Sequence, residues 1–148
     1  MKLILTLVAQ RSRSSLFDTA IHAYIDRLAS YAAVETVVVR DERALFELVA
    51  KQRSRTPAWL VLLDARGKAL SSEGLAEWLA AQRDSGQQTI VLAIGPADGW
   101  SEGARAQAQT VLSLGPMTLP HELARVVLLE QMYRAFTILA GHPYHTGH

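Results

Sequence analysis

The sequence contains no cysteine among its 148 residues. Disulfide bonds and thiolate chemistry are therefore excluded, and the cysteine usage gives no sign of export. No apolar run approaches the ~20 residues that a membrane-spanning helix needs. The first nine residues carry one lysine, Lys2, and an apolar core too short for a convincing signal peptide. We interpret this segment as a strand and expect a cytoplasmic protein.

An excess of charge and the common nucleotide-binding motifs are also lacking. The formal net charge is +1, so no global electrostatic attraction to nucleic acid is expected, and any RNA contact must come from a local cluster. The chain has neither G-x-G-x-x-G nor G-x-x-x-x-G-K-[ST], which argues against a standard dehydrogenase and a P-loop nucleotidase. The basic residues that offer local contacts are Arg11, Arg13, Lys51, Arg53 and Arg55. A plain solvated surface is the alternative interpretation for them.

Strand-like and helix-like segments alternate along the chain. Continuous apolar runs predict strands at Lys2–Ala9, Val34–Val39, Trp59–Asp64, Thr89–Ile94 and Val111–Leu114. Helical spacing and capping residues predict helices over Leu16–Ser30, after Asp41, after Ser71 or Ser72, and from Ser101 to about Ala108. This pattern predicts an α/β fold with a mostly parallel sheet, helices on both faces, and a single domain over residues 1–148.

The last predicted helix runs from about Pro120 to Ala140 and lacks a polar face. Pro120 suits the first helical position, and Gly141 followed by Pro143 suits the end. The polar residues that interrupt its apolar surface are Arg125, Glu130, Gln131 and Arg134. A helix that is apolar nearly all round is buried on more than one side. In so small a chain the second side predicts a partner subunit, and hence a homodimer.

Glycines follow three of the predicted strands, where ligands bind in open parallel sheets. Leu63-Asp64 precedes Gly67, Ile94 precedes Gly95, and Leu114 precedes Gly115. Residues 65–68 are predicted to form a turn. Glycine lets a backbone approach a ligand closely, and the exposed main-chain groups of such loops can read an adenine edge. For any one of these glycines, a simple tight turn is the alternative interpretation.

The tail His142-Pro143-Tyr144-His145 invites a metal interpretation, with His121 and His148 as further ligands. We predict no metal, because cysteine is absent and Pro143 prevents a helical pair of histidines. A solvated tail with chance histidines is one alternative. Tyr144 between two histidines instead suits stacking on a base and hydrogen bonding to it. Arg134, on the apolar helix, needs either an acidic neighbour or an anionic ligand.

These segments together resemble the small SPOUT-class RNA methyltransferases, and most closely the large-subunit ribosomal RNA methyltransferase H family (RlmH), which methylates N3 of a pseudouridine. The resemblance runs through the whole chain. It is carried by Leu63-Asp64-x-x-Gly67-Lys68, Ile94-Gly95-x-x-x-Gly99, Met117-Thr118-Leu119-Pro120-His121, Glu130-Gln131-Met132-Tyr133-Arg134-Ala135 and the closing Gly-His-Pro-Tyr-His.

The resemblance implies a C-terminal trefoil knot, a homodimer, and S-adenosylmethionine bound in a bent form within the knot. By position, the cofactor residues it implies are Leu63, Gly95, Leu114, Gly115, Pro116, Met117, Thr118 and Leu119. The tail of one subunit is expected to complete the site for the target base with the other subunit. His145 is our first candidate for the proton acceptor, followed by His142, with Tyr144 stacking or orienting and Arg134 fixing a phosphate or a carbonyl of the base. With net charge near zero, we expect selectivity to depend on an assembled ribosomal surface.

Two departures from the family pattern matter. The family usually has a second glycine after strand four, where this chain has Pro96. Proline removes one backbone N–H and stiffens the turn, which bears on cofactor affinity. The segment between Val39 and Ala58 is also shorter and less glycine-rich than is typical. A catalytically inactive, dimeric ribosome-binding protein and a nucleotide-binding α/β protein without an RNA role therefore remain the alternatives.

Overall fold

A computed structural model describes residues 1–10, 16–52, 54–96 and 98–146. Its centre is a sheet of five parallel strands in the order β2-β1-β4-β3-β5. The strands are β1 (Lys2–Val8), β2 (Ala33–Val39), β3 (Trp59–Ala69), β4 (Thr89–Ile94) and β5 (Thr110–Ser113). The α/β fold with a parallel sheet is thereby confirmed, whereas the trefoil knot stays a prediction.

Helices cover both faces of this sheet. They are α1 (Asp18–Leu28), α2 (Glu42–Lys51), α3 (Ser72–Asp84), α4 (Glu102–Gln107) and α5 (His121–Ala140), followed by a short 3₁₀ turn at Pro143–His145. Alternate residues of β1 enter two separate cores, as the two-residue period of a strand requires. Leu3, Leu5 and Leu7 pack with α1, α3 and α5, whereas Ile4 and Val8 pack with α2 and α4.

Three helix starts are fixed by the side chains that the sequence indicates. Asp41, Ser71 and Ser101 accept hydrogen bonds from the backbone N–H groups of Ala44, Gly74 and Ala104, at 2.8, 2.9 and 3.1 Å. Each bond satisfies one of the donors that the first helical turn leaves unpaired. The predicted caps of α2, α3 and α4 are therefore confirmed.

The predicted end of β3 at Asp64 is wrong. The strand continues to Ala69, and the predicted turn at residues 65–68 is part of it. Its pairing with β5 is interrupted between Leu63 and Lys68 and then resumes. Gly67 makes this possible, because a Cβ at that position would lie 2.6 Å from the carbonyl oxygen of Val111. The glycine in this segment thus marks a close crossing of two backbones rather than a turn.

The ends of α5 also differ slightly from expectation. Pro120 is the N-cap, with ψ of 146°, and His121 is the first helical residue. At the other end Gly141 adopts a left-handed conformation with φ of 69°, as predicted. The backbone N–H of His142 then bonds to the carbonyl of Thr137 at 2.9 Å, and that of Gly141 to Ile138 at 3.2 Å. This arrangement is a Schellman motif, and it turns the tail back along the helix.

Candidate active site

A cleft of about 240 Å³ lies at the carboxyl ends of β4 and β5, beside the middle of β3, where the pairing with β5 is interrupted. β3 lies between β4 and β5 in the sheet, so its interrupted segment at residues 63–66 meets the loops that follow β4 and β5. The lining residues are Leu63, Asp64, Ala65, Arg66, Ile94, Gly95, Pro96, Gly99, Trp100, Leu114, Gly115, Met117, Thr118, Leu119, His121 and Ala124. Of the residues predicted to hold a cofactor, only Pro116 is missing from this lining. The sequence therefore located the cleft, while the role of each residue in binding stays a prediction.

The indole of Trp100 forms one wall of the cleft. Its Nε1–H donates to the carbonyl oxygen of Leu63 at 2.9 Å, and the side chain is 5% exposed. A Cβ at position 95 would lie 2.7 Å from the indole, so only glycine lets the β4 end pass against this ring. Arg105 donates to the Trp100 carbonyl at 2.6 Å and holds the start of α4 in place. Gly95 and Trp100 thus shape the cleft together.

The loop after β5 presents main-chain groups to the cleft. Gly115 has φ of 120°, a conformation that a residue with a side chain rarely adopts. The Ser113 hydroxyl donates to the Gly115 carbonyl at 3.2 Å and accepts from the Gly115 N–H at 3.0 Å, which fixes this turn. Farther along, the Met117 side chain is 81% exposed. A large apolar side chain in this position is suited to covering by a ligand or by another chain.

Asp64 is the carboxylate in the wall of the cleft, and its side chain is 9% exposed. Its Oδ1 accepts from the backbone N–H of Arg66 at 2.8 Å, and Arg105 lies 3.8 Å from Oδ2. Burial alone would raise the pKa of Asp64. The hydrogen bonds from Arg66 and the positive charges of Arg66 and Arg105 outweigh that effect, so the pKa lies below its ordinary value. The carboxylate is therefore ionised at neutral pH.

The tail packs on α5 rather than extending into solvent. The Tyr144 ring meets the Tyr133 ring edge-on, with centroids 4.7 Å apart, and the Arg134 guanidinium lies 5.1 Å from the Tyr144 centroid. His142 Nδ1 accepts from the Tyr144 backbone N–H at 3.1 Å. Tyr144 and His145 are half-buried, so this part of the tail is not freely solvated, whereas His142 and Pro143 are exposed. The tail is a built part of the molecule.

Arg134 is paired with an acidic neighbour on its own helix. Its Nε donates to Glu130 Oε1 at 2.9 Å, and its Nη2 contacts the same oxygen. The Tyr144 hydroxyl also donates to this oxygen, at 3.3 Å. The hydrogen bond to Glu130 raises the pKa of Arg134. Burial, a hydrogen bond with Tyr24 and the nearby Glu130 raise the pKa of Tyr144. Tyr144 therefore stays protonated at neutral pH, which suits an orienting role better than proton abstraction.

His145 keeps one nitrogen unused. Its Nδ1 is shielded from solvent and has no hydrogen-bond partner among the described residues. A buried polar atom without a partner is uncommon in folded proteins and marks His145 for attention. Among the described residues, no cluster of three or more histidine, aspartate or glutamate side chains is placed to hold a metal ion.

The two groups of predicted site residues are separate within one chain. His142, Tyr144, His145 and Arg134 do not line the cleft. Ala124 marks the cleft end of α5, and Arg134 lies ten residues farther on, which is about 15 Å along a helix axis. Reacting atoms must come within about 3.5 Å of each other. Within a single chain, the tail therefore does not reach the cleft.

Some residues of both groups escaped prediction. Trp100 is five residues beyond the loop glycine Gly95, and nothing in its position in the sequence indicates that its ring packs against that glycine. Glu130 and Gln131 stand in a segment that carries the resemblance, but the sequence assigns them no role. Lys51 and Arg55 are exposed as expected, whereas Arg11, Arg13, Arg53 and His148 lie outside the described residues.

A family model described as "Predicted SPOUT methyltransferase" matches residues 1–145 of the chain. The curated proteins that match nearly its full length include two that are named ribosomal RNA large subunit methyltransferase H. The protein from Koribacter versatilis is 50% identical over 93% of this chain and 94% of its own. The protein from Pelobacter propionicus is 43% identical over 91% of this chain and 93% of its own.

Two solved structures have a similar fold. A probable methylase family protein from Haemophilus influenzae aligns with a TM-score of 0.56 and 13% identity over 97% of this chain and 69% of its own. The SpoU methyltransferase AviRb from Streptomyces viridochromogenes, in complex with AdoMet, aligns with a TM-score of 0.50 and 16% identity over 89% of this chain and 56% of its own. In the described part of the present chain, no helix has the length and apolarity needed to cross a membrane.

Proposed function

The chain belongs to the SPOUT methyltransferase family, and we propose that it transfers a methyl group from S-adenosylmethionine to large-subunit ribosomal RNA. The observation that carries the proposal is the cleft formed by the carboxyl ends of β4 and β5 and the interrupted middle of β3, because an open parallel sheet binds ligands beyond the carboxyl ends of its strands. The names of the relatives supply the substrate class. Ribosomes are cytoplasmic in bacteria, and we place the protein there.

The residues of the cleft suit S-adenosylmethionine. Leu63, Ile94 and Leu119 offer apolar surface to a planar base, and the main-chain groups at Gly95 and Gly115 are free of a covering Cβ. The ionised Asp64 carries the sign that complements a sulfonium. When bound, S-adenosylmethionine supplies the methyl group as an electrophile.

The finer target that we propose is N3 of a pseudouridine, with the assembled ribosome as the substrate. The N3–H proton has to be removed, and His145 is the first candidate to accept it because its Nδ1 has no hydrogen-bond partner among the described residues. Tyr144, held in its protonated form, orients or stacks on the base. Arg134 shares its charge with Glu130 and offers its remaining N–H groups to a carbonyl or a phosphate.

We further propose that the complete site forms between two copies of the chain. The tail lies well away from the cleft of its own chain, and α5 presents half-buried Leu123, Val126 and Leu139 together with buried residues on its other sides. The exposed Met117 stands at the cleft. In a symmetric dimer, the same contact places each tail near the cleft of the other subunit.

Mixed dimers test the shared site. One chain ends after Gly141 and lacks the tail; the other carries Thr118→Arg, a change at an exposed loop residue that fills the cleft. Each variant alone is expected to be inactive. Random mixing gives half of the dimers one intact site, and hence about a quarter of wild-type activity. Mixtures that stay inactive, with dimer exchange verified by mass spectrometry, would refute a site shared between subunits.

A second candidate is a ribosome-binding protein that does not turn over S-adenosylmethionine. Pro96 favours it, because this residue lines the cleft and has no N–H to offer a ligand. Its carbonyl accepts from the Gly99 N–H at 2.9 Å, so the turn itself is closed in the ordinary way. A closed turn that lacks one donor predicts weaker binding rather than a blocked cleft.

Titration calorimetry with S-adenosylhomocysteine decides between these candidates. We expect about one site per chain and micromolar affinity, about 8 kcal/mol. Methylation is then measured with labelled S-adenosylmethionine on whole ribosomes, on isolated large subunits and on free ribosomal RNA, with the modified base mapped by mass spectrometry. Binding without methylation of any of the three would favour the second candidate. If binding is absent but Pro96→Gly restores it, the proline is the cause.

A further inference from the structure

A chain of side-chain hydrogen bonds connects the start of α3 to the tail. The Ser72 hydroxyl donates to Gln131 Oε1 at 2.6 Å, and Gln131 Nε2 donates to Glu130 Oε2 at 2.8 Å. Glu130 Oε1 accepts from Arg134 and from the Tyr144 hydroxyl. Ser72 is 59 residues from Gln131 in the sequence, so these hydrogen bonds connect two helices, α3 and α5, that are distant along the polypeptide.

The chemistry of the groups fixes the direction of these bonds. A carboxylate only accepts hydrogen bonds, so the amide nitrogen of Gln131 must face Glu130. The amide oxygen then faces Ser72, whose hydroxyl is able to donate. Each of the two Glu130 oxygens is therefore assigned: Oε2 is held by Gln131, and Oε1 is directed at Arg134 and Tyr144. Without Ser72 and Gln131, the Glu130 carboxylate loses the hydrogen bond to Oε2 and keeps only those to Oε1.

Little solvent competes for these bonds. The side chains of Glu130 and Arg134 are 17% and 15% exposed, so their ionic contact is much less screened than one on the surface. Tyr144 is held at its hydroxyl by the Glu130 carboxylate and by a hydrogen bond with Tyr24. The Tyr133 ring meets it at one edge, and the Arg134 guanidinium lies over its face. His145 follows Tyr144 directly, and fixing one therefore restricts the other.

We propose that Ser72, Gln131 and Glu130 form a positioning relay that sets the place of the tail. None of the three needs to touch a substrate; they act through Tyr144 and Arg134. The part of the inference that concerns turnover rests on the proposed methyltransferase function. The part that concerns the tail does not, and it is measured without any substrate.

The test compares Glu130→Ala, Glu130→Gln, Ser72→Ala and Ser72→Thr with two controls. Ser85→Ala removes a hydroxyl at the far end of α3, where Ser85 bonds only to the backbone of Gln82 at 2.9 Å. Glu122→Gln weakens the ion pair with Arg125 at the far end of α5, where both side chains are also mostly buried. Hydrogen exchange of the backbone amides within residues 142–146 measures how firmly the tail is held. Calorimetry with S-adenosylhomocysteine measures the affinity of the cleft.

Glu130→Ala is expected to raise exchange in residues 142–146 at least tenfold, and Ser72→Ala about threefold. Glu130→Gln keeps an acceptor oxygen, so its tail exchange rate is expected to lie between those of Glu130→Ala and the wild type. Ser72→Thr, which keeps the hydroxyl, is expected to restore the wild-type rate, and both controls should leave the tail unchanged. Unchanged tail exchange in Glu130→Ala, or equal effects of Ser72→Ala and Ser72→Thr, would overturn the relay.

Turnover supplies the second readout. Glu130→Ala is expected to lower kcat about 100-fold while the affinity for S-adenosylhomocysteine stays within about twofold, since the loss is one of positioning. If cofactor affinity falls as much as kcat, the residues act on the general fold and the relay is refuted. Should the wild-type protein methylate no ribosomal RNA, the proposed function fails, but the exchange comparison still decides whether the relay exists.

Discussion

The two ends of α5 are built in different ways. At its start, the cleft is made largely of main chain: strand ends, the left-handed Gly115 and the glycine–indole contact of Gly95 with Trp100. At its end, the tail is held by side chains, in a cluster of aromatic rings and a shared carboxylate at Glu130. One end depends on where the backbone passes, and the other depends on which functional groups are present.

This difference determines how each end fails. A backbone-built site is damaged by adding atoms, because a Cβ placed where two chains nearly touch has no room. A site built from side chains is damaged by removing atoms, because the remaining partners lose a hydrogen bond and the contact that orients them. Substitutions of the two kinds should therefore separate cofactor binding from turnover.

The largest expected effect comes from removing the tail. A chain that ends after Gly141 keeps the Gly141 N–H bond to Ile138 and every residue that lines the cleft. We expect S-adenosylhomocysteine to bind within about threefold of wild type, whereas turnover falls about 1000-fold, the scale of a lost general base. Calorimetry and the ribosome methylation assay measure the two quantities. Retained turnover would remove the tail from the mechanism.

Gly67→Ala should have the next largest effect, and on stability. The added Cβ would lie 2.6 Å from the Val111 carbonyl oxygen and 2.9 Å from the Leu112 nitrogen, and neither backbone atom can move without breaking the β3–β5 pairing. We expect the free energy of unfolding in urea to fall by about 3 kcal/mol.

The control is Gly103→Ala in α4, where a Cβ would meet nothing closer than 3.9 Å. This change is expected to raise stability by about 0.5 kcal/mol, because alanine loses less conformational freedom in a helix. If both substitutions change stability equally, the close crossing at Gly67 does not constrain the fold.

The same crossing marks the limit of what the sequence predicts. Apolar runs and capping residues predicted each of the strands β1–β5 and the helices α1–α5 of the described residues, and β4 at its observed bounds. They succeed because hydrophobic periodicity and capping are local properties of the sequence. The Ala65–Lys68 segment was mispredicted as a turn because arginine, glycine and lysine look polar and flexible. Their strand conformation depends on the distant β5, which no local pattern reveals.

The candidate site divides in the same way. The loops at Gly95 and Gly115 are predictable, since glycine after a buried strand is a local signal. The roles of Trp100 and Glu130 are not predictable in this way, because each depends on a distant partner. Trp100 bonds to Leu63, 37 residues away, and Glu130 bonds to Tyr144, 14 residues away. The resemblance located the tail residues. Of the two alternatives that the sequence leaves open for Arg134, the acidic neighbour is confirmed, and that neighbour is Glu130.

Trp100→Phe tests the wall of the cleft with a smaller change. It removes the indole N–H that bonds to the Leu63 carbonyl at 2.9 Å, and leaves that carbonyl without this donor. We expect the free energy of unfolding to fall by about 1.5 kcal/mol and S-adenosylhomocysteine to bind about fivefold more weakly, close to 1 kcal/mol. Urea unfolding and calorimetry provide the two measurements.

Trp59→Phe is the matched control for this change. Trp59 also donates an indole hydrogen bond, to the Thr110 hydroxyl at 2.9 Å, but it lies outside the cleft lining. A similar loss of stability with unchanged ligand binding is expected. If Trp59→Phe weakens binding as much as Trp100→Phe, the effect is one of general stability and the cleft wall has no special role.

The smallest effect concerns the charge of Asp64 and depends on pH. Its pKa is lower in the folded protein than the ordinary value of 3.8, because Arg66 and Arg105 favour the ionised form. A lowered pKa adds stability that is complete above the unfolded value and is lost as the pH falls through the folded value. The wild type should therefore exceed Asp64→Asn in stability at pH 6, and this advantage should disappear as the pH falls below about 3.8 towards the lower folded pKa.

Urea unfolding at several pH values between 6 and 2.5 measures the advantage of Asp64 over asparagine. Asp84→Asn serves as the control, because Asp84 forms its contact with Arg83 at an exposed site where both side chains are more than half accessible. Such a pair contributes less than about 0.5 kcal/mol, so the control should stay near wild type. An Asp64 advantage that grows on acidification would mean that burial, which raises the pKa, outweighs the two arginines, and that the wall of the cleft is less negative than the geometry indicates.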